Sequence, residues 1–274
     1  MADKFVKNEH DVTRPRYAVL VDAENAKYSS LRPIVEEVAT LGGDASVRRV
    51  YGDFTKSCLA PYKQTSLELS FRPITAFSYV SGKGSSDAVM IIDAMDLLSG
   101  DRVDGFALVS SDSDFTPLAQ RLREGGKKVI GFGQRHTPIA FVTACDRFIY
   151  TENLGVRETD PGDDNTKRKS KEGRPADTRN ATAPAKKKLQ GELDPKDREL
   201  LDKVLEEQTQ DVNIFVPLSV VGDMLTKFKS DFDSRTYGCG KLVNLFRANN
   251  RYYEVKEKKN TVWVRRRLPP LEKP

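Results

Sequence analysis

Two stretches of sequence decide the fold: Tyr17-Ala-Val-Leu-Val-Asp22 and Gly105-Phe-Ala-Leu-Val-Ser-Ser-Asp112. Each is an apolar run typical of a buried strand, and each ends on an aspartate. A third aspartate, Asp87, opens a predicted helix between them. Ligands of open parallel α/β sheets bind beyond the carboxyl ends of the strands, where gathered carboxylates repel one another unless a cation neutralises them. The pattern therefore predicts a divalent-cation site that acts on a substrate bearing phosphates.

Strand-like and helix-like segments alternate around these two stretches. The predicted strands cover residues 17–22, 45–51, 71–79, 105–111, 128–132 and 147–150, and the predicted helices cover residues 30–41, 57–69, 86–98, 115–124 and 137–144. This alternation is typical of an α/β fold, a parallel sheet with helices on both faces. Pro73 places its strand toward an edge of the sheet. The helix over 86–98 is expected to bury a stripe formed by Ala88, Ile91, Ile92 and Met95.

The chain changes character twice beyond this region. Residues 158–191 contain no Val, Ile, Phe, Tyr or Trp and cannot bury enough apolar surface to fold, so we expect a disordered linker. Helical patterns return after the linker, and two strand-like runs around Asn260 indicate a β-hairpin. Three short helices and a hairpin predict a small winged-helix-like domain. The predicted helices cover 195–209, 217–228 and about 240–249, and the predicted domains cover 15–153 and 194–267.

The positive charge is concentrated in the predicted linker. The 274 residues are enough for two domains and carry a formal net charge of +5. Residues 1–159 hold 20 basic and 21 acidic side chains, whereas residues 167–189 hold nine basic and two acidic ones. We expect this segment to provide flexible counter-charge to a polyanion and to raise the local concentration of such a substrate.

Cysteine and histidine usage argues against two common kinds of structural site. Three scattered cysteines do not make a disulfide framework, and two histidines cannot build a Cys/His zinc cluster. The N-terminus lacks the apolar run of a signal peptide, and no apolar stretch approaches membrane-spanning length. We therefore expect a soluble, intracellular protein of the cytoplasm that does not associate with membranes.

Oxygen donors dominate the predicted cation site. Asp22, Asp87, Asp112 and Asp114 are the candidate ligands, and Asn25 can lend a carboxamide to the same place. Such donors suit Mg²⁺ or Mn²⁺, which could polarise a phosphodiester and activate water. The local alternative is that a lone strand-end aspartate caps a turn or helix, as Asp114 could. Three acids that converge from separate segments favour the metal site.

A glycine-rich turn, Gly82-Lys83-Gly84-Ser85, precedes the helix that carries Asp87. It lacks the upstream glycine and the following Ser/Thr of a phosphate-binding loop, which argues against a nucleotide site. Lys83 could contact a phosphate of the substrate or pair with a nearby carboxylate. The sequence favours neither interpretation over the other.

The acidic motifs together resemble the NYN domain, a branch of the PIN-like ribonuclease superfamily. The resemblance covers about residues 15–153 and is carried by Val21-Asp22-Ala-Glu-Asn25, Lys83-Gly84-Ser-Ser-Asp87 and Val109-Ser-Ser-Asp112-Ser-Asp114-Phe115. It implies a PIN-like sheet, catalysis by Asp22, Asp87 and Asp112 with Mg²⁺ or Mn²⁺, and cleavage of single-stranded or structured RNA. Many PIN-like nucleases carry a further acid after the second strand, but residues 55–67 contain none before Glu68.

The C-terminal region resembles an OST-HTH/LOTUS domain over about residues 195–267. The matching residues are Val216-Pro-Leu-Ser219, Val221-Gly222, Leu225, Phe232, Tyr237-Gly238, Lys241-Leu242, Tyr253-Glu-Val255 and Val262-Trp-Val264. The resemblance implies binding of RNA. Arg265, Arg266 and Arg267 follow the predicted hairpin and could neutralise phosphates. Tyr252, Tyr253 and Trp263 are expected to pack in the core or across the strands rather than to stack on bases.

These observations predict a metal-dependent ribonuclease whose second domain recruits RNA. The alternatives are a catalytically weak or silent RNA-binding regulator and a scaffold whose LOTUS-like domain binds a protein partner. A phosphatase for small phosphate compounds would have no use for the basic linker. Pairing into a homodimer is a further expectation from the PIN-like resemblance.

Overall fold

The computed structural model describes residues 14–76, 85–154, 191–209, 211 and 214–267. The chain forms two compact units. The strands of the first unit are β1 Arg16–Asp22, β2 Asp44–Gly52, β3 Arg72–Thr75, β4 Gly105–Val109, β5 Lys128–Gly133 and β6 Arg147–Tyr150. Its helices are α1 Leu31–Thr40, α2 Pro61–Glu68, α3 Ser85–Ser99, α4 Thr116–Glu124 and α5 Ile139–Ala144.

The six strands form one parallel sheet in the order β3-β2-β1-β4-β5-β6. The chain runs outward from β1 to β3 and then returns to β4, so the connections diverge between β1 and β4, where Val21 pairs with Val109. In open α/β sheets this switch point is where a crevice forms at the carboxyl ends of the strands. The predicted α/β class is confirmed, and Pro73 lies on the edge strand β3 as expected.

Apolar side chains of the sheet alternate between its two faces. Ala18 and Leu20 of β1 pack with α3, α4 and α5, whereas Val19 and Val21 pack with α1 and α2. All four side chains are fully buried, as expected for a central parallel strand covered on both faces. This packing fixes the carboxyl end of β1, and with it the position of Asp22.

The predicted buried stripe of α3 is wrong. Ile92 is 62% exposed and Ala88 is exposed, while Ile91 and Met95 are only partly buried. The residues that face the core are Met90, Ala94 and Leu97. The helix is apolar around most of its circumference, so periodicity alone does not distinguish between neighbouring stripes.

Strand β4 is shorter than predicted. It ends at Val109, two residues before the predicted end at residue 111. Both serines that follow use their side chains in hydrogen bonds: Ser110 Oγ donates to Asp22, and Ser111 Oγ accepts from the Gln134 N–H at 2.8 Å. The two serines that were predicted to extend the strand instead hydrogen-bond through their side chains to Asp22 and Gln134.

The second unit combines three helices with a small antiparallel sheet in the described residues. The elements are α6 Pro195–Gln208, β7 Val216–Pro217, α7 Leu218–Phe228, α8 Leu242–Ala248, β8 Tyr253–Lys258 and β9 Thr261–Arg266. Residues 226–228 at the end of α7 group with the first unit. The sheet order is β7-β9-β8. Lys259 and Asn260 adopt positive φ angles of 49° and 63°, as a tight hairpin turn requires. The predicted hairpin is confirmed, whereas the two-residue strand β7 did not emerge from the sequence.

Gly191, the last residue of the predicted linker, is buried in this unit, and its N–H donates to the Tyr237 carbonyl at 2.8 Å. Residues 158–190 lie outside the described part of the chain. Within the described ranges, no helix combines the length and the apolar character needed to cross a membrane.

Candidate functional site

Asp22 lies at the end of β1 and is only 1% exposed. Four donors surround its carboxylate. Asn25 Nδ2 and Ser110 Oγ donate to Oδ2 at 2.8 and 2.7 Å, and the backbone N–H groups of Glu24 and Asn25 donate to Oδ1 at 3.0 and 3.3 Å. Burial raises the pKa of Asp22, and these hydrogen bonds oppose the rise. The carboxylate is therefore held in one orientation at the switch point.

Ser110 connects Asp22 to the next predicted ligand. It is 1% exposed; its hydroxyl donates to Asp22 and accepts the Asp112 N–H at 3.0 Å. Asp112 in turn accepts the Asp114 N–H at 2.9 Å and caps the short 3-10 turn over Ser113–Phe115. The predicted capping role thus belongs to Asp112 rather than to Asp114, which is exposed. Ser110 is a site residue that sequence reasoning did not single out.

Asp87 lies in the first turn of α3 and is partly buried. No group in the described residues donates a hydrogen bond to it. Burial, followed by the negative charges of Asp22, Asp112, Glu24 and Asp114, raises the pKa of Asp87 to about 6 from the ordinary 3.8. The three predicted aspartates are thus near enough to repel one another, and none of the causes of the Asp87 pKa shift among the described residues is a positive charge.

The donor set of this acidic site fits a hard divalent cation. The groups are carboxylates and one carboxamide, which are ligands of Mg²⁺ and Mn²⁺. Burial and the neighbouring negative charges raise the Asp87 pKa, and a cation would offset the part that is due to charge. Among the described residues, however, no three His, Cys, Asp or Glu side chains are already grouped closely enough to hold a metal ion. Coordination by several of these acids therefore requires side-chain movement or bridging water.

Glu24, an exposed residue of the loop after β1, contacts two neighbouring segments at this site. Its Oε1 pairs with Lys56 Nζ at 2.6 Å, and its Oε2 lies 3.5 Å from Ser86 Oγ. The hydrogen bond from Lys56 to Glu24 raises the pKa of that ammonium. The chain segment after β2 is thereby connected to the acids at the end of β1, a contact between residues 32 positions apart that local sequence spacing cannot reveal.

No other described acid supplements the site from the neighbouring segments. Glu68 pairs with Arg32 at 3.5 Å, and Asp53 accepts from the N–H and hydroxyl of Thr55. Asp93, on α3, binds Arg49 and the Tyr51 hydroxyl. None of these three acids contributes to the raised pKa of Asp87. Lys83, for which the sequence left open a contact with a substrate phosphate and a pairing with a carboxylate, lies outside the described residues.

The predicted arginine contacts of the second unit differ from one another. Arg265 pairs with Glu254 at 2.6 Å, and Arg266 pairs with Glu206 at 2.5 Å and with Asp202 at 3.6 Å. Both guanidinium groups of the hairpin are therefore already paired with carboxylates, Arg265 within the hairpin and Arg266 with α6. Arg267 forms no ion pair among the described residues. Arg267 is exposed, and so are Lys258 and Lys259 at the hairpin turn.

The two tyrosines before the hairpin have different environments. Tyr253 is 1% exposed, packs edge-to-face on Phe246 at 5.0 Å and donates to Asp202 at 3.1 Å, so the expectation of core packing is confirmed for it. Tyr252 is 37% exposed, and the Arg198 guanidinium lies 4.8 Å from its ring centre. This contact is a cation–π interaction on the surface.

Comparison with known proteins finds a family match for each of the two parts of the chain. The NYN domain family matches residues 16–153, and the OST-HTH/LOTUS domain family matches residues 191–265. An uncharacterized protein of Methanocaldococcus jannaschii is 30% identical over 132 residues, which cover 46% of this chain and 49% of that protein. The chain thus matches about half the length of this curated relative.

A crystal structure of a protein of unknown function from Vibrio parahaemolyticus covers 50% of this chain and 93% of its own, with a TM-score of 0.42 and 22% identity. The NYN match spans half of the chain and contains all four of the predicted metal-site aspartates. NYN domains are a branch of the PIN-like nuclease superfamily. This protein belongs to the NYN domain family and carries an OST-HTH/LOTUS domain after its NYN domain.

Proposed function

We propose that the protein is a metal-dependent ribonuclease that hydrolyses phosphodiester bonds at the acidic site. The observation that carries the proposal is the set of carboxylates from β1, α3 and the segment after β4, because their charges add to the effect of burial and raise the pKa of Asp87 to about 6. Such an uncompensated cluster in a crevice is typical of a functional site rather than of a structural one.

Each aspartate would have a distinct part in holding Mg²⁺ or Mn²⁺. Asp22 is oriented by its four donors, so it would be the fixed ligand. Asp87 has no donor in the described residues, and Asp112 uses one oxygen as a cap, so both retain free oxygens for a cation. When bound, the cation would supply Lewis acidity and charge neutralisation for attack by water on the phosphodiester.

The OST-HTH/LOTUS domain would recruit RNA to the nuclease domain. Its exposed cations at the hairpin turn, Lys258 and Lys259, together with Arg267, offer charge to phosphates. Arg265 and Arg266 would act mainly by supporting the hairpin, since they are paired internally. The basic segment between the domains would raise the local concentration of RNA.

A labelled single-stranded RNA and a structured RNA, incubated with the full chain and Mn²⁺ or Mg²⁺, test this proposal. We expect cleavage by wild type, and a loss of about a hundredfold or more in Asp22→Asn and Asp112→Asn. The matched control is Asp96→Asn, an exposed acid of α3 that does not contribute to the raised pKa of Asp87. Cleavage by the two site variants at the wild-type rate would refute the proposal.

A catalytically silent RNA-binding regulator is the second candidate. The position of Glu68 favours it, because this acid pairs with Arg32 and does not supplement the site. In that case wild type and all three variants would bind RNA equally well, and none would cut it with either metal. Loss of a protein partner on removal of residues 191–267, with RNA affinity unchanged, would instead indicate a scaffold.

A further inference from the structure

A cavity of about 620 Å³ lies beside the acidic site, between the loop after β1 and the segment after β2. Glu24 belongs to both places, since it lines the cavity and contributes to the negative charge around Asp87. The volume is within the range of pockets that hold small organic groups. The shared residue Glu24 makes this cavity the candidate place for a nucleotide that neighbours a phosphate at the acidic site.

One wall of the cavity is an exposed aromatic ring on a rigid support. Tyr28 is 45% exposed and meets Tyr62 edge-to-face at 6.1 Å. Tyr62 is 2% exposed, contacts Phe54 at 6.4 Å, and donates its hydroxyl to the Ala26 carbonyl at 2.9 Å. Tyr28 therefore contacts a buried aromatic side chain and still keeps 45% of its surface exposed. A flat, held, solvent-facing ring is the kind of platform on which nucleic-acid bases stack.

The cavity also offers positive charge next to that ring. Lys27 lines it, is exposed, and forms no ion pair with any described residue. Lys56 lines it as well but is committed to Glu24. Lys56 therefore positions Glu24, while Lys27 is available to an incoming anion. An aromatic platform beside an unpaired ammonium group matches the base and the phosphate of a nucleotide.

We propose that this cavity binds the nucleotide next to the scissile phosphate, with its base on Tyr28 and its phosphate near Lys27. The inference rests on the proposed ribonuclease function and assigns a substrate subsite to it. Stacking tolerates all four bases, so the subsite would select for single-stranded RNA with an accessible base rather than for a sequence.

The protein contains its own reporter for this subsite. Cys58 lines the cavity and is exposed, whereas Cys145 and Cys239 are buried. A maleimide added to the native full-length chain should therefore label Cys58 selectively. RNA in the cavity should shield this thiol from the reagent.

The test measures the rate at which maleimide labels Cys58 in the presence of Mn²⁺. The rate is compared without RNA and with a saturating single-stranded RNA of about ten nucleotides. A control oligomer of the same length carries abasic sites. Cleavage of the RNA is followed in the same samples. The variants are Tyr28→Ala and, as a matched control, Leu67→Ala, which removes a side chain of α2 that is 72% exposed and does not line the cavity.

RNA should slow the labelling of Cys58 in wild type and in Leu67→Ala, whereas the abasic RNA should not slow it. Tyr28→Ala should need about fivefold to a hundredfold more RNA for the same protection of Cys58. Equal protection by abasic RNA, equal protection of Tyr28→Ala, or no protection of wild type at saturating RNA would overturn the subsite. Protection without cleavage would support the base-binding cavity and contradict the nuclease proposal. Cleavage without protection would do the reverse.

Discussion

The acidic site of the NYN domain and the basic hairpin of the LOTUS domain were both predicted as groups of like charge, the acids from separate segments and the arginines from the single run Arg265–Arg267. In the structure they differ. Arg265 and Arg266 each face carboxylates of their own domain, whereas Asp87 faces further carboxylates and no donor among the described residues. Charges that are matched internally support a fold, while like charges left together are unfavourable until a ligand offsets them.

Among the variants that change the support of the charged groups in these two regions, Ser110→Ala is expected to have the largest effect. Ser110 donates to Asp22 and accepts from the Asp112 N–H, so its loss leaves both acids less well oriented. We expect RNA cleavage to fall about tenfold to a hundredfold, the usual cost of losing a group that orients metal ligands. The control is Ser111→Ala, whose hydroxyl accepts from Gln134 instead. Equal cleavage rates for the two variants would contradict this role for Ser110.

A smaller effect concerns stability without metal. Because the pKa of folded Asp87 is raised from 3.8 to about 6, the folded state holds this proton more tightly than the unfolded state does. The contribution favours folding below about pH 4 and is lost as the pH rises through about 6. Solvent screening of this partly exposed group keeps the change below the roughly 3 kcal/mol that two pKa units represent.

Asp87→Asn should therefore be more stable than wild type at about pH 7 in EDTA, with less difference at about pH 4.5. Urea unfolding at both pH values measures this, with Asp96→Asn as the control for loss of any α3 carboxylate. A destabilised Asp87→Asn protein at neutral pH would indicate that the carboxylate is compensated after all.

The smallest effects are expected at the hairpin. Lys258→Ala, Lys259→Ala and Arg267→Ala should each weaken RNA binding and reduce the slope of log affinity against log salt by about 0.7, the value for one phosphate contact on a single strand. Arg265→Ala should leave that slope nearly unchanged and lower the melting temperature, because it removes the partner of Glu254. RNA titrations over a range of salt concentrations, with melting curves, would separate the two groups. If Arg265→Ala reduced the salt slope more than the variants of Lys258, Lys259 and Arg267 do, Arg265 rather than these three would be the phosphate contact.

Local patterns in the sequence predicted much of the acidic site. Asp22 and Asp112 follow from apolar strands that end on an acid, and Asn25 follows from its spacing; it does bind Asp22. The bridging role of Ser110 depends on β1 and β4 being neighbours, with its two partners far apart in sequence. The partners of Arg266 lie 60 and 64 positions away, beyond the reach of local patterns.

The face of α3 that enters the core was not predictable for a different reason. Apolar residues occur around most of this helix, and the choice of Met90, Ala94 and Leu97 over Ala88 and Ile92 depends on how the helix packs on the sheet. Periodicity identifies a helix well, but it identifies the buried face only when the opposite face is polar.

Calorimetric titration of the full-length chain with Mn²⁺, in parallel with Asp87→Asn and Asp96→Asn, tests most directly whether the uncompensated acids form a cation site. We expect wild type and Asp96→Asn to bind Mn²⁺ with the same affinity and Asp87→Asn to bind at least about tenfold more weakly. Equal affinities for all three proteins, or no binding of Mn²⁺ by wild type, would contradict this account of the site.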